Sequence, residues 1–87
     1  MEKIMVFTGN MQQYTRFNRR YNIDPNIVRY ISSDIDLHGL PHGFSFMRHG
    51  TWYAHPDAAG IMAELSYYQA KEIGLDVVIA GDYLLME

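Results

Sequence analysis

The run Lys3-Ile4-Met5-Val6-Phe7 is apolar at every position after the lysine, shows no polar alternation, and stops at Thr8-Gly9-Asn10. A strand with one wet face alternates. An unbroken apolar strand is covered on both faces, the habit of a parallel sheet with helices on either side. This one segment therefore points to an α/β architecture in which right-handed crossovers lay helices over a sheet.

The rest of the chain is consistent with that frame. Met11, Tyr14, Phe17 and Tyr21 recur at helical spacing while Gln12, Gln13, Arg16, Arg19 and Arg20 fall elsewhere, which predicts a first helix with Asn10 as its N-cap. Asn22 to Asn26 ends it, because Pro25 disfavours the helical region for Asp24. A second strand is expected over Ile27 to Ser32. A single helical turn over Asp34 to Leu37 follows, capped by Ser32-Ser33 and stopped by Gly39. A third strand is expected from Phe44 to Met47, ending near His49-Gly50. The main helix is expected from Pro56 to Ile73, burying Ala58, Ile61, Met62, Leu65 and Tyr68 and closed by Gly74. The second unbroken run, Val77 to Ala80, reads as a fourth, parallel strand followed by a docked tail from Tyr83 to Met86, with a hairpin at Gly81-Asp82 as the competing arrangement. The sum is a single small three-layer Rossmann-like α/β domain over residues 1–87, with about four mostly parallel strands and two main helices.

Composition sets limits on function. A chain of 87 residues that is 48% hydrophobic and 20% charged is expected to fold around one core. It has no cysteine, which excludes disulfides, thiolate nucleophiles and cysteine metal ligands, and a reducing cytoplasm fits best. No apolar run reaches a membrane span and no cleavage site follows Met1-Glu2-Lys3, so neither embedding nor secretion is expected. A net charge of −3 argues against nucleic acid as a partner, yet permits a local basic patch. Aromatics make up 14% of the chain, more than a domain of this size readily hides, which favours an interface and self-association as a homo-oligomer.

In open parallel sheets, ligands bind at the carboxyl ends of the strands, near the point where strand order reverses. The candidate ligand residues there are Gly9, Asn10, Asp34 and His49. Each has a plain structural reading beside it. Thr8-Gly9-Asn10 lacks the further glycines of both phosphate-binding motifs and reads most simply as a tight turn with a helix cap. Asp34 and Asp36 are solvated acids at a helix start, pointing to different sides, and Asp34 is the one placed to reach a ligand. His38, His42, His49 and His55 invite a metal proposal. Gly39 and Pro41, however, break any helix that would pair the first two, so no metal and no cofactor are expected. His49 is the most interesting of the four because it ends a strand.

Arg16, Arg19 and Arg20 share one side of the first helix, near its end, where cations offset the helix dipole. They form a candidate patch for phosphate or an acidic partner, which Arg29 or Arg48 would widen. Trp52 and Tyr53 stand in a glycine-led loop, where large aromatics either pack back onto the core or meet a partner. No Ser-His-Asp or paired-glutamate arrangement can be assembled, which leaves catalysis without a residue-level case.

Ile4-Met-Val-Phe-Thr-Gly9, Leu37-His-Gly-Leu40 and Arg48-His-Gly-Thr-Trp-Tyr53, with Pro56-Asp57 opening a helix, resemble small bacteriophage-encoded Rossmann-like proteins of unassigned role. The resemblance implies an accessory phage protein working in a bacterial cytoplasm and carries over no catalytic residue. The leading functional expectation is a non-enzymatic interaction protein that engages a protein partner or itself through Trp52 and Tyr53. The alternative is a nucleotide or phosphate-ligand binding domain at the strand ends, with hydrolysis as its furthest extension.

Overall fold

All four residues of strand β1 (Ile4–Phe7) are buried, and they divide between two cores. Ile4 and Val6 point into one, with Phe17, Val28 and Met47, while Met5 and Phe7 point into the other, with Leu37, Phe46, Ile61 and Leu65. Side chains alternate across a strand, so an all-apolar run needs a core on each side, and here it has both. Each such side chain, fully buried, is worth roughly 1.5–3 kcal/mol.

The structure, a computed structural model, describes residues 3–80. After β1 come α1 (Met11–Arg20), β2 (Val28–Tyr30), a 3-10 turn (Asp34–Leu37), β3 (Ser45–Arg48), a second 3-10 turn (Trp52–Ala54), α2 (Ala58–Tyr67), β4 (Lys71–Glu72) and α3 (Leu75–Ala80). The sheet is parallel throughout in the order β2-β1-β3-β4. Phe17 of α1 and Val78 of α3 cover one face, while Leu37 of the first 3-10 turn with Ile61 and Leu65 of α2 covers the other, giving three layers. Among the described residues no helix is long and apolar enough to cross a membrane.

The helix ends are set by residues other than glycine. Asn22 closes α1 in the left-handed region (φ 52°), and Ile23 N–H then bonds Asn18 C=O at 2.9 Å. Gln69 does the same for α2 (φ 52°), with Ala70 N–H on Leu65 C=O at 3.0 Å and Gln69 N–H on Ser66 C=O at 3.1 Å. Both are Schellman closures, which usually recruit glycine. Gln69 thereby corrects the expected span of the main helix: α2 stops at Tyr67, and the chain turns into the edge strand β4, where Lys71 N–H reaches Phe44 C=O and Ile73 N–H reaches Phe46 C=O.

A second correction concerns Val77 to Ala80, which is helical and belongs to α3. A short apolar run does not distinguish a buried strand from a buried helix. Because β4 already takes the place beside β3, the run instead packs Leu75, Val77 and Val78 on the α1 face and leaves Ile79 half exposed. The second strand is shorter than Ile27 to Ser32, and the third begins one residue late and ends at Arg48. Gly81-Asp82 and the tail from Tyr83 to Met86 lie outside the described residues.

Candidate functional site

The connection from β1 to β2 runs through α1 on one face, and that from β2 to β3 runs through the first 3-10 turn on the other. Strand order therefore reverses between β1 and β3, where a doubly wound sheet opens its crevice at the carboxyl ends. Thr8-Gly9-Asn10 forms one bank and His49-Gly50-Thr51 the other. Gly9 is compelled by this closeness, since a Cβ there would stand 2.7 Å from the Thr51 carbonyl oxygen.

Gln13, from the first turn of α1, bridges the two banks. Its Oε1 accepts from Gly9 N–H at 2.9 Å and from Thr51 N–H at 3.2 Å, while its Nε2 donates to Thr51 Oγ1. Backbone N–H groups from the ends of two adjacent strands thus converge on one oxygen. Gly50 is left-handed (φ 63°) and a Cβ there would lie 2.8 Å from the same oxygen, so its glycine serves both backbone and space. Asn10 is the N-cap of α1, its side chain accepting from Gln13 N–H at 2.9 Å, which also aims Gln13 into the crevice.

Beside this bridge lies a pocket of about 220 Å³ lined by Gln13, Arg16, Phe17, Arg20, His49 and Gly50. Arg16 and Arg20 are one helical turn apart and so reach the same side. Among the described residues neither makes an ion pair. His49 packs its ring 4.8 Å from Phe17, and burial, with the nearby Arg20 charge, lowers its pKa. The pocket is thus walled by two guanidinium groups and an imidazole held toward its neutral form, and no carboxylate lines it.

The other candidate residues are dispersed. Arg19 turns away from the pocket to a shallow depression with Met11, Gln12, Thr15 and Arg16. Arg48 is not available to widen the patch: it forks onto Glu72 at 2.6 and 2.8 Å, the two partners raising and lowering each other's pKa, and it lies over the Trp52 ring at 4.7 Å. Arg29 faces Asp36 at 3.7 Å. Trp52 is half-buried with its ring centroid 5.5 Å from Phe7, whereas Tyr53 is 67% exposed. The two aromatics of the loop therefore divide between core and surface.

Asp34 does not join Gly9, Asn10 and His49. Its backbone N–H is held by Asp57 Oδ2 at 2.7 Å, and its carboxylate lies with His38 and Glu64 beside α2, on the sheet face opposite α1. Asp36 closes its own turn by accepting from Ser32 N–H at 2.7 Å, from the Ser32 hydroxyl and from Ser33 N–H at 3.3 Å, and the Ser32 hydroxyl bond is the main cause of its lowered pKa.

Two important residues escaped sequence reasoning. Gln13 reads as an ordinary polar helix position, and only its place three residues after the cap hints at a return toward the turn. His55 reads as a loop histidine but is 5% exposed. Its Nδ1 accepts from Asp57 N–H at 2.9 Å, which assigns the proton to Nε2, 3.1 Å from the Ile31 carbonyl oxygen, and so ties the end of β2 to the start of α2. Comparison with protein-family models, with curated proteins and with solved structures finds no match for this chain.

Proposed function

We propose that this protein binds a small anionic ligand of the phosphomonoester class in the pocket between α1 and the end of β3. The observation that carries the proposal is the pairing of Arg16 and Arg20, without carboxylate partners among the described residues, around a pocket at the switch point of a doubly wound sheet. Guanidinium groups suit phosphate because their planar donor forks match its oxygens. The chain as a whole carries −3, so the positive field is local and selects a small anion over a polyanion. Neither a nucleophile nor a carboxylate base lines the pocket, which favours binding over turnover.

A thermal-shift series with orthophosphate, sulfate and mononucleotides tests this. A ligand present at a hundred times its Kd adds about 2.7 kcal/mol to stability. Stabilisation by phosphate compounds that vanishes in the Arg16→Ala, Arg20→Ala double variant supports the proposal. An unchanged midpoint across the whole series removes it.

A second reading, the interaction protein, is favoured by a different observation. Met11, Ile35 and Tyr53 are 53, 68 and 67% exposed, and they follow β1, β2 and β3 respectively, all at the carboxyl edge of the sheet. Three apolar side chains along one edge suit a second copy of the chain or a protein partner. Sedimentation velocity that shows a concentration-dependent dimer, lost in Ile35→Ser with Tyr53→Ser, supports it, and a monomer at every concentration argues for the small ligand alone.

A further inference from the structure

We infer that Asp34, His38 and Glu64 form a binding site for a first-row divalent metal ion, with Zn²⁺ as the favoured occupant. A carboxylate oxygen of Asp34, an imidazole nitrogen of His38 and a carboxylate oxygen of Glu64 all lie within 4.8 Å of one another. His38 Nε2 and Glu64 Oε1 stand 3.7 Å apart. Two donors on one tetrahedral zinc stand roughly 3.4 Å apart, given metal–ligand bonds near 2.0–2.1 Å. The triad is therefore a modest side-chain rotation from a coordination shell, and all three side chains are at least partly exposed and free to make it.

The backbone that carries the three ligands is firmly set. Leu37, between Asp34 and His38, is fully buried against Ile61 and Leu65, and Glu64 sits directly before Leu65 on α2. Asp57 Oδ2 binds Asp34 N–H at 2.7 Å and pins the start of the 3-10 turn to the start of α2. Two elements far apart in sequence are thus docked with their ligand residues on one side.

Charge gives the separate reason for a cation. Two carboxylates approach each other here, and among the described residues neither pairs with a lysine or arginine; His38 is the one basic group beside them. The donor set then selects the ion. One imidazole nitrogen with two carboxylate oxygens suits zinc and its first-row neighbours better than magnesium or calcium, which prefer all-oxygen shells. Three protein ligands leave a fourth position open to water, the pattern of exchangeable rather than closed structural zinc sites. The site lies on the sheet face opposite α1 and does not depend on the anion pocket.

The test uses tag-free full-length protein, stripped with chelator and dialysed, titrated with Zn²⁺ by calorimetry and with Co²⁺ by visible absorption. Expected are one ion per chain and a Co²⁺ spectrum of low coordination number. His38→Gln, Asp34→Asn and Glu64→Gln should each weaken binding by at least about tenfold, since even residues behind a metal ligand are worth that much. His42→Gln and Asp24→Asn serve as surface controls and should leave affinity unchanged. All of these positions keep similar side-chain volume, and circular dichroism confirms the fold of each variant. No stoichiometric binding, or binding that the three ligand variants leave intact, or binding abolished equally by His42→Gln, would each overturn the assignment.

Discussion

Gln13 and Thr51, 38 residues apart, hold each other through a reciprocal pair: Thr51 N–H donates to Gln13 Oε1 at 3.2 Å and Gln13 Nε2 donates to Thr51 Oγ1. The same Oε1 takes the Gly9 N–H, so a neutral oxygen occupies the point where both strand ends aim their donors. An uncharged bridge there leaves the adjacent cationic pocket unneutralised.

Replacing that oxygen with a charged one should separate structure from function. In Gln13→Glu the carboxylate still accepts from Gly9 and Thr51, in charge-assisted bonds, so the melting midpoint at neutral pH should be preserved or raised. Its negative charge, however, faces Arg16 and Arg20 and should weaken phosphate or sulfate binding at least about tenfold. Calorimetry with a melting curve on the same sample checks both halves, and tight anion binding by this variant would contradict the site.

Removing the guanidinium groups one at a time should cost affinity without stability. Arg16 and Arg20 are exposed and bury little, so each alanine variant should melt within about 0.5 kcal/mol of the parent protein. Each should lose about tenfold or more in anion affinity, because hydrogen bonds to charged groups are worth about 1.5–3 kcal/mol. Arg19→Ala, at the neighbouring depression, should leave affinity nearly unchanged, and equal losses at Arg19 would point to a diffuse field instead of a pocket.

The pH dependence follows from His49. Burial lowers its pKa in the folded state, so the folded protein binds fewer protons than the unfolded chain in that range. The associated stability is fully present above the unfolded value of about 6.5 and is lost as pH falls through the folded one. A bound anion favours the protonated ring, so sulfate, whose charge is constant over the range, should bind more tightly as pH is lowered from about 8 toward 5.5. His49→Gln should flatten both trends, as measured by melting curves and calorimetry across pH.

His55 is predicted to be structural. His55→Ala leaves the Ile31 carbonyl and the Asp57 N–H without their side-chain partner and opens space beside Phe7, 5.8 Å away. Buried groups deprived of partners cost about 1–3 kcal/mol each, so a total loss of roughly 2–4 kcal/mol is expected in denaturant unfolding. Anion affinity per folded molecule should be unaffected.

What sequence could reveal here depended on how local the cause was. β1, the Asn10 cap, the turn at Asp34 and the buried face of α2 each follow from a few adjacent residues, and all are found as expected. β4 has only two residues and no apolar pattern, and exists because Gln69 ends α2 early in a conformation that glycine more often takes. The run from Val77 to Ala80, expected as a fourth strand, is instead helical, because a short apolar run carries the same pattern in either form and β4 already occupies the sheet edge beside β3. At the sites, Gly9 and His49 were legible from strand ends alone. Gln13, His55 and the meeting of Asp34 with Glu64 depend on tertiary docking, which spacing along the chain does not encode.

Titration with orthophosphate at low salt, followed through backbone amide and arginine side-chain resonances, reads out ligand binding in the pocket between α1 and the end of β3. Saturable shifts concentrated at Gly50, Thr51 and His49 and at the Nε–H groups of Arg16 and Arg20 are expected, with Arg29 and Arg48 silent. Shifts spread evenly over all arginines, or none that saturate, would contradict a ligand pocket at the β1/β3 switch point.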